Sequence, residues 1–141
     1  MITSIDVNKI EANRDTKESI SNMKFNINFD DVKVKEDNVN VAFTFVAVYE
    51  GVPMKGEAKE VGKLTIIGNV ASKETKKEAD EIEKAWKEKK TLPLQYAEDI
   101  INILNFECGA RGTLVAYSIG FVAPLPLSRA KLSEGAQGRA T

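Results

Sequence analysis

The stretch Val39–Tyr49, reading V-N-V-A-F-T-F-V-A-V-Y, constrains this chain more than any other. Successive side chains of a strand point to opposite faces. Val39, Val41, Phe43, Phe45, Ala47 and Tyr49 therefore share one large, aromatic face. Asn40, Ala42, Thr44, Val46 and Val48 share the other, which is smaller but still mostly apolar. Neither face suits water. The rest of the chain, or a partner, must cover both.

With 141 residues the chain is long enough for one domain with a real core. The alternation predicts a single domain over residues 1–127 and a frayed, polar tail over residues 128–141. Ser4–Asn13 alternates through Ile5 and Val7, then slips phase to Ile10 and Ala12. One extra residue restores the face, so a β-bulge is expected at Asn8-Lys9. Arg14–Asn22 is a polar connection. Lys24–Asp30 sets Phe25, Ile27 and Phe29 against Lys24, Asn26 and Asn28, with Val32 and Val34 extending it. Lys35–Asn38 carries turn chemistry, and Glu50-Gly51-Val52-Pro53 is the next break. Ala58–Val70 reads as a fourth strand in which Gly62 and Gly68 mark a bulge or a close backbone approach. Connections this short predict an antiparallel meander.

After Val70 the period changes from two to about 3.6. Thr75 with Glu78 forms a capping-box pattern, and Glu78–Lys90 follows as a helix with one narrow apolar line, Ala79, Ile82 and Trp86. Pro93 suits a helix start. Leu94, Ala97, Ile100, Ile101, Leu104 and Cys108 make the stripe of a second, greasier helix, with Glu98 and Asp99 expected in its first turn and Gly109 or Gly112 at its end. Ile103 and Phe106 lie off that stripe. Thr113–Leu127 is apolar but interrupted by Gly120, Pro124 and Pro126. The expected fold class is α+β: a four-stranded antiparallel sheet followed by two helices and an apolar crossover segment.

Chemistry is sparse. Histidine is absent, which removes the commonest general base and a frequent metal ligand. Cys108, the one cysteine, precludes an internal disulfide and fits a reducing, cytoplasmic setting. It sits on an apolar helical stripe, where cysteine is ordinarily inert packing. A net charge of −1 gives no basic field for nucleic acid or an anionic membrane. The N-terminal residues carry no signal-peptide pattern, and the longest apolar run is too short and broken to span a bilayer. These features predict no catalysis, cofactor or metal. They leave surplus apolar surface, which means oligomerisation or the binding of apolar partners. Subunit contacts alone explain the surplus as well as a binding groove does.

Four short motifs in order resemble the SecB family of protein-export chaperones. They are Asn8-Lys9-Ile10 with Arg14-Asp15, the strand Gly62-Lys63-Leu64-Thr65-Ile66-Ile67-Gly68, the helix start Leu94-Gln95-Tyr96-Ala97-Glu98-Asp99-Ile100, and the turn Ala110-Arg111-Gly112-Thr113. The resemblance covers roughly Ser4 to Leu127. It implies an ATP-independent holdase, a homotetramer built as a dimer of dimers, which keeps unfolded or precursor polypeptides in apolar grooves. The family's acidic, metal-binding tail is missing, since Arg129, Lys131 and Arg139 stand there against Glu134 alone. Coupling to the export motor is therefore not implied. Phe43, Phe45, Tyr49, Leu114, Tyr117, Phe121 and Leu125 are the expected peptide-binding residues. Ile100, Ile101, Leu104 and Trp86 are the expected oligomer interface. A small-molecule or lipid-binding module of the hot-dog type, and a purely structural oligomer subunit, are the rival readings.

Overall fold

The computed structural model describes residues 1–16, 19–51 and 59–120. Its sheet consists of β1 (Ile2–Arg14), β2 (Asn22–Lys35), β3 (Asn38–Gly51) and β4 (Lys59–Lys73), all paired antiparallel. Two helices follow, α1 (Lys76–Lys89) and α2 (Leu94–Ser118). The class is α+β, as the change of period from two to 3.6 predicts.

The strand order is β1-β4-β3-β2, which corrects the expected meander. β2, β3 and β4 are successive hairpin neighbours, but β1 lies on the far edge beside β4. Four strands place the two edges about 14 Å apart. The seven residues between Arg14 and Asn22 span up to about 24 Å when extended, so a connection short enough to suggest a hairpin also crosses the sheet end. It is tied down as it crosses. The Asp15 N–H donates to the Val61 carbonyl at 2.6 Å and the Ser21 N–H to the Glu50 carbonyl at 2.8 Å. A Cβ at Gly51 would lie 2.6 Å from the Ser19 carbonyl oxygen, so the crossing needs glycine at the end of β3.

The register of β1 shifts between Val7 and Lys9, where the phase slip predicts a bulge, and again between Ile2 and Ser4. β2 shifts between Phe29 and Asp31. At that second-strand bulge the Asp30 carboxylate accepts a hydrogen bond from the Thr44 hydroxyl at 2.6 Å. Gly68 pairs with Val7 on one side and Phe43 on the other. A Cβ there would strike the Asp6 carbonyl oxygen and lie 3.1 Å from the Phe43 ring, the close approach expected of this glycine.

Both helices lie on one face of the sheet. α1 begins at Thr75, whose hydroxyl accepts from the Glu78 N–H while the Glu78 carboxylate accepts from the Thr75 N–H. Its buried residues are Ala79, Ile82 and Trp86, the narrow line read from the sequence. α2 starts after Pro93, but Glu98 and Asp99 fall beyond its first turn, so they do not sit at the dipole's positive end. α2 also does not stop at Gly109 or Gly112. It continues to Ser118, about 37 Å in all. Both glycines are buried, so packing of the surrounding turns outweighs their cost of about 1 kcal/mol each in a helix interior. The Arg14 guanidinium, reaching from β1, donates to the Ile119 and Gly120 carbonyls at 3.4 and 3.0 Å and neutralises the helix's negative end. Thr113–Ser118 is thus helix and not an irregular crossover. The remainder of that apolar segment, with Phe121 and Leu125, and the tail over residues 128–141 lie outside the described residues.

Candidate functional site

The core settles which face of β3 is covered. Phe43, Phe45 and Tyr49 are 0% exposed and form one cluster with Ile100, Ile101, Leu104 and Trp86. This corrects two expectations together. Phe43, Phe45 and Tyr49 do not line an open peptide groove, because the chain's own helices close over them. Ile100, Ile101, Leu104 and Trp86 do not form a subunit contact, because they are the side chains doing the covering. The Phe25 and Phe45 rings meet across β2 and β3 at 5.8 Å and 47°, a cross-strand aromatic pair that seals the β2 side.

The opposite face of the sheet needs no lid. Val48 lies between Lys24 and Lys63, Val46 between Asn26 and Thr65, and Ala42 between Asp31 and Asn69. Ile67 lies between Thr44 and Lys9, and Lys9 is paired with Glu11 at 3.1 Å. Each apolar side chain on this face is half-buried among polar neighbours, so the face is dotted and not a continuous apolar patch.

Among the described residues, a line of exposed apolar side chains lies on α2. Ile103, Phe106, Ala110, Leu114 and Tyr117 recur at steps of three and four, a single line on the side opposite the core. Phe106 is 70%, Leu114 79% and Tyr117 85% exposed. Of the expected peptide-binding residues, Leu114 and Tyr117 are therefore surface residues. Phe106 belongs with them and was missed as a site residue. Its place off the core stripe was the signal that could have found it.

Two open clefts flank α1. The larger, about 690 Å³, is walled by β2 on one side and by α1 with the Lys90–Leu94 connection on the other. Phe29, Pro93 and Leu94 supply its apolar surface, with Ile27 and Leu92 buried behind them, and Glu81, Lys84, Glu88 and Lys89 form its rim. Its volume falls in the range of ligand-binding clefts. The connection that forms its end is firm. Lys90 takes a left-handed conformation with φ 54°, its N–H bonds the Trp86 carbonyl at 2.9 Å, and its ammonium sits 5.5 Å from the Trp86 ring centre. The smaller cleft, about 450 Å³, is lined by Ile82, Tyr96 and the carboxylates Glu74, Glu78, Glu81 and Asp99 among others. At its margin the Tyr96 and Ser72 hydroxyls share a 2.6 Å hydrogen bond. Burial pushes the Tyr96 phenol up to about 12, partly offset by that hydrogen bond and raised further by Glu74.

Among the described residues, no group of three or more His, Cys, Asp or Glu side chains converges to hold a metal ion. Cys108 is fully buried, and desolvation pushes its thiol up to about 12, with Arg111 pulling it down and Glu107 pushing it up. At neutral pH it is a protonated, enclosed thiol and not an activated nucleophile. Among the described residues, no helix is long and apolar enough to cross a membrane. No protein-family model matches this sequence, and a search of curated proteins found no match.

Proposed function

We propose that this protein is an ATP-independent holdase chaperone of the SecB type, which keeps unfolded or precursor polypeptides from aggregating. The observation that carries the reading is the pairing of a finished core with apolar surface beyond it. The chain closes its own aromatic face and still presents Phe106, Leu114 and Tyr117 on α2, plus a cleft of mixed polar and apolar lining beside β2. A monomer that merely folds has no use for either. The four-motif resemblance supports the same reading.

The two surfaces suit two tasks. The α2 line is straight, regular and helical, the form in which one helix packs on another. We assign it to subunit assembly, with a homotetramer as the expected product. The cleft is open, irregular and bordered by charges of both signs, which suits chains of varied sequence. Holding needs no reaction and no nucleotide, since binding only the unfolded state shifts the folding equilibrium by mass action.

The test is light scattering of a chemically unfolded client diluted into buffer without nucleotide. The proposal expects scattering to fall as the assembled protein approaches equimolar ratio. Unchanged scattering at excess chaperone would remove the holdase reading.

A further inference from the structure

The outward side of α2 carries two kinds of side chain in a fixed order. From the C-terminal end the line runs Tyr117, Leu114, Ala110, Phe106 and Ile103, all apolar, over about 21 Å of helix. Asp99, exposed and four residues before Ile103, is the next position on that side. It lies about 27 Å along the helix from Tyr117. Asp99 also lines the smaller cleft, together with Glu74, Glu78 and Glu81. The line is thus apolar toward the end of α2 and acidic toward its start.

The sequence after Gly120 has the complementary order. Phe121–Leu127 reads F-V-A-P-L-P-L, apolar throughout, and the cations Arg129 and Lys131 follow. Pro124 and Pro126 lack an N–H and disfavour helix at the residues before them. Such a sequence favours polyproline II, at about 3.1 Å per residue. Phe121–Leu127 then measures about 22 Å, the length of the apolar line. Arg129 and Lys131 come about 28 and 34 Å along, abreast of Asp99 and the carboxylates beyond it. Gly120 provides the change of direction. Its φ of 77° is the left-handed conformation that ends helices and turns the chain aside. Arg14 holds the Ile119 and Gly120 carbonyls, so the point where the segment departs is fixed at the helix end.

We propose that residues 121–131 fold back along α2 as a strap, with Leu125 and Leu127 on the apolar line and Arg129 and Lys131 against Asp99 and its acidic neighbours. The inference rests on the assignment of α2's outer face to subunit assembly and adds its regulation. The strap holds the face in the single chain and gives it up to a sister subunit. One row of side chains on one helix accepts one such neighbour at a time, so the two occupants exclude each other. Tethering favours the strap, because a short connection gives an effective concentration of about a millimolar. A sister subunit must exceed that advantage by concentration or by a tighter fit. The segment therefore sets the concentration at which the chain assembles, and it shields Phe106, Leu114 and Tyr117 below that concentration.

The test uses the full-length protein throughout. Carbodiimide coupling, which joins an amine to a touching carboxylate, is applied to an equal mixture of unlabelled and nitrogen-15-labelled chains. The expected product is Lys131 joined to Asp99 or Glu98 within one chain, strongest in dilute protein and fading as the protein assembles. Exchanging the charges, with Asp99→Lys and Lys131→Glu together, should preserve the link, whereas Lys131→Glu alone should lose it. Sedimentation then measures self-association. A Leu125→Asp, Leu127→Asp variant and an Arg129→Glu, Lys131→Glu variant should each assemble about tenfold more tightly than the wild type. The second pair keeps the test valid if the first fails to fold. Absence of the link overturns the strap, as does a link found only between chains, which would place a second copy's segment on α2. Unchanged or weakened assembly in the charge variant overturns the competition. If the link forms within one chain while every form stays monomeric, the strap stands and the assembly assignment falls. If the wild type assembles without any link, the assignment stands and the strap falls.

Discussion

At the scale of single residues, the fold depends on a few places where atoms nearly touch. Gly68 is the sharpest. A methyl group there meets the Asp6 carbonyl and the Phe43 ring at once, and neither can move without breaking the β1–β4 ladder or the core. Gly68→Ala should cost about 2–4 kcal/mol in urea unfolding, against roughly 0.5 kcal/mol or less for an exposed substitution such as Lys63→Ala. Tyr96→Phe removes the partner of the buried Ser72 hydroxyl and should cost about 1–3 kcal/mol. Tyr49, Tyr96 and Cys108 also set the alkaline limit. Burial raises all three to about 12, so the folded state holds protons that the unfolded state releases. Their contribution is complete below about pH 8, falls first as the unfolded thiol ionises near pH 9, and is lost as pH rises toward 12. Unfolding free energy should be level to about pH 8 from these groups and then decline. A Cys108→Ser, Tyr96→Phe double variant should start lower and decline less steeply.

At the scale of elements, local grammar was legible and long-range placement was not. The Thr75–Glu78 capping box, the Ala79–Ile82–Trp86 line and the phase slip at Asn8 could be read directly, because each depends on neighbours within about four residues. The strand order could not, since seven residues suffice either for a hairpin turn or for crossing the sheet. The end of α2 was misread for a related reason. Gly109 and Gly112 look like a stop in sequence, yet burial of the turns around them carries the helix on to Ser118. Arg14 then caps that end from a strand more than a hundred residues away. Arg14→Ala should raise amide exchange over the last turn of α2, with little change at Ile100–Leu104. On α2's outer line, Tyr117→Asp should leave the monomer folded, as judged by circular dichroism, while lowering its mass in solution. A collapse of helical signal would mean that Tyr117 is structural. An unchanged assembly would remove α2's outer face as the subunit contact.

For the whole molecule, the central strand gave the right question and a partly wrong answer. By alternation alone, Val39–Tyr49 demands cover on both faces. In the sheet, however, Val46, Val48 and Ala42 are separated by Lys24, Asn26, Asp31, Lys63 and Thr65 from the neighbouring strands. That two-dimensional pattern depends on register, which a one-dimensional alternation does not contain. Read from the sequence, two helices are few for closing the aromatic face, which leaves it to clients. α2 is longer than it reads, and Phe43, Phe45 and Tyr49 lie buried in one cluster with residues of α1 and α2. Exposed apolar side chains do lie on the outside of α2, at Phe106, Leu114 and Tyr117. On the proposed reading, the exposed line of α2 and the cleft beside β2 are the surfaces that serve contact with other chains.

The most direct measurement of that claim is the fluorescence anisotropy of a labelled, permanently unfolded polypeptide titrated with the full-length protein, in buffer free of nucleotide. Saturable binding is predicted, together with about tenfold or greater weakening when Leu94→Asp places a charge in the cleft. The same polypeptide in a folded form should not bind. Absence of binding by the assembled wild-type protein, or equal affinity for folded and unfolded forms, would contradict the account.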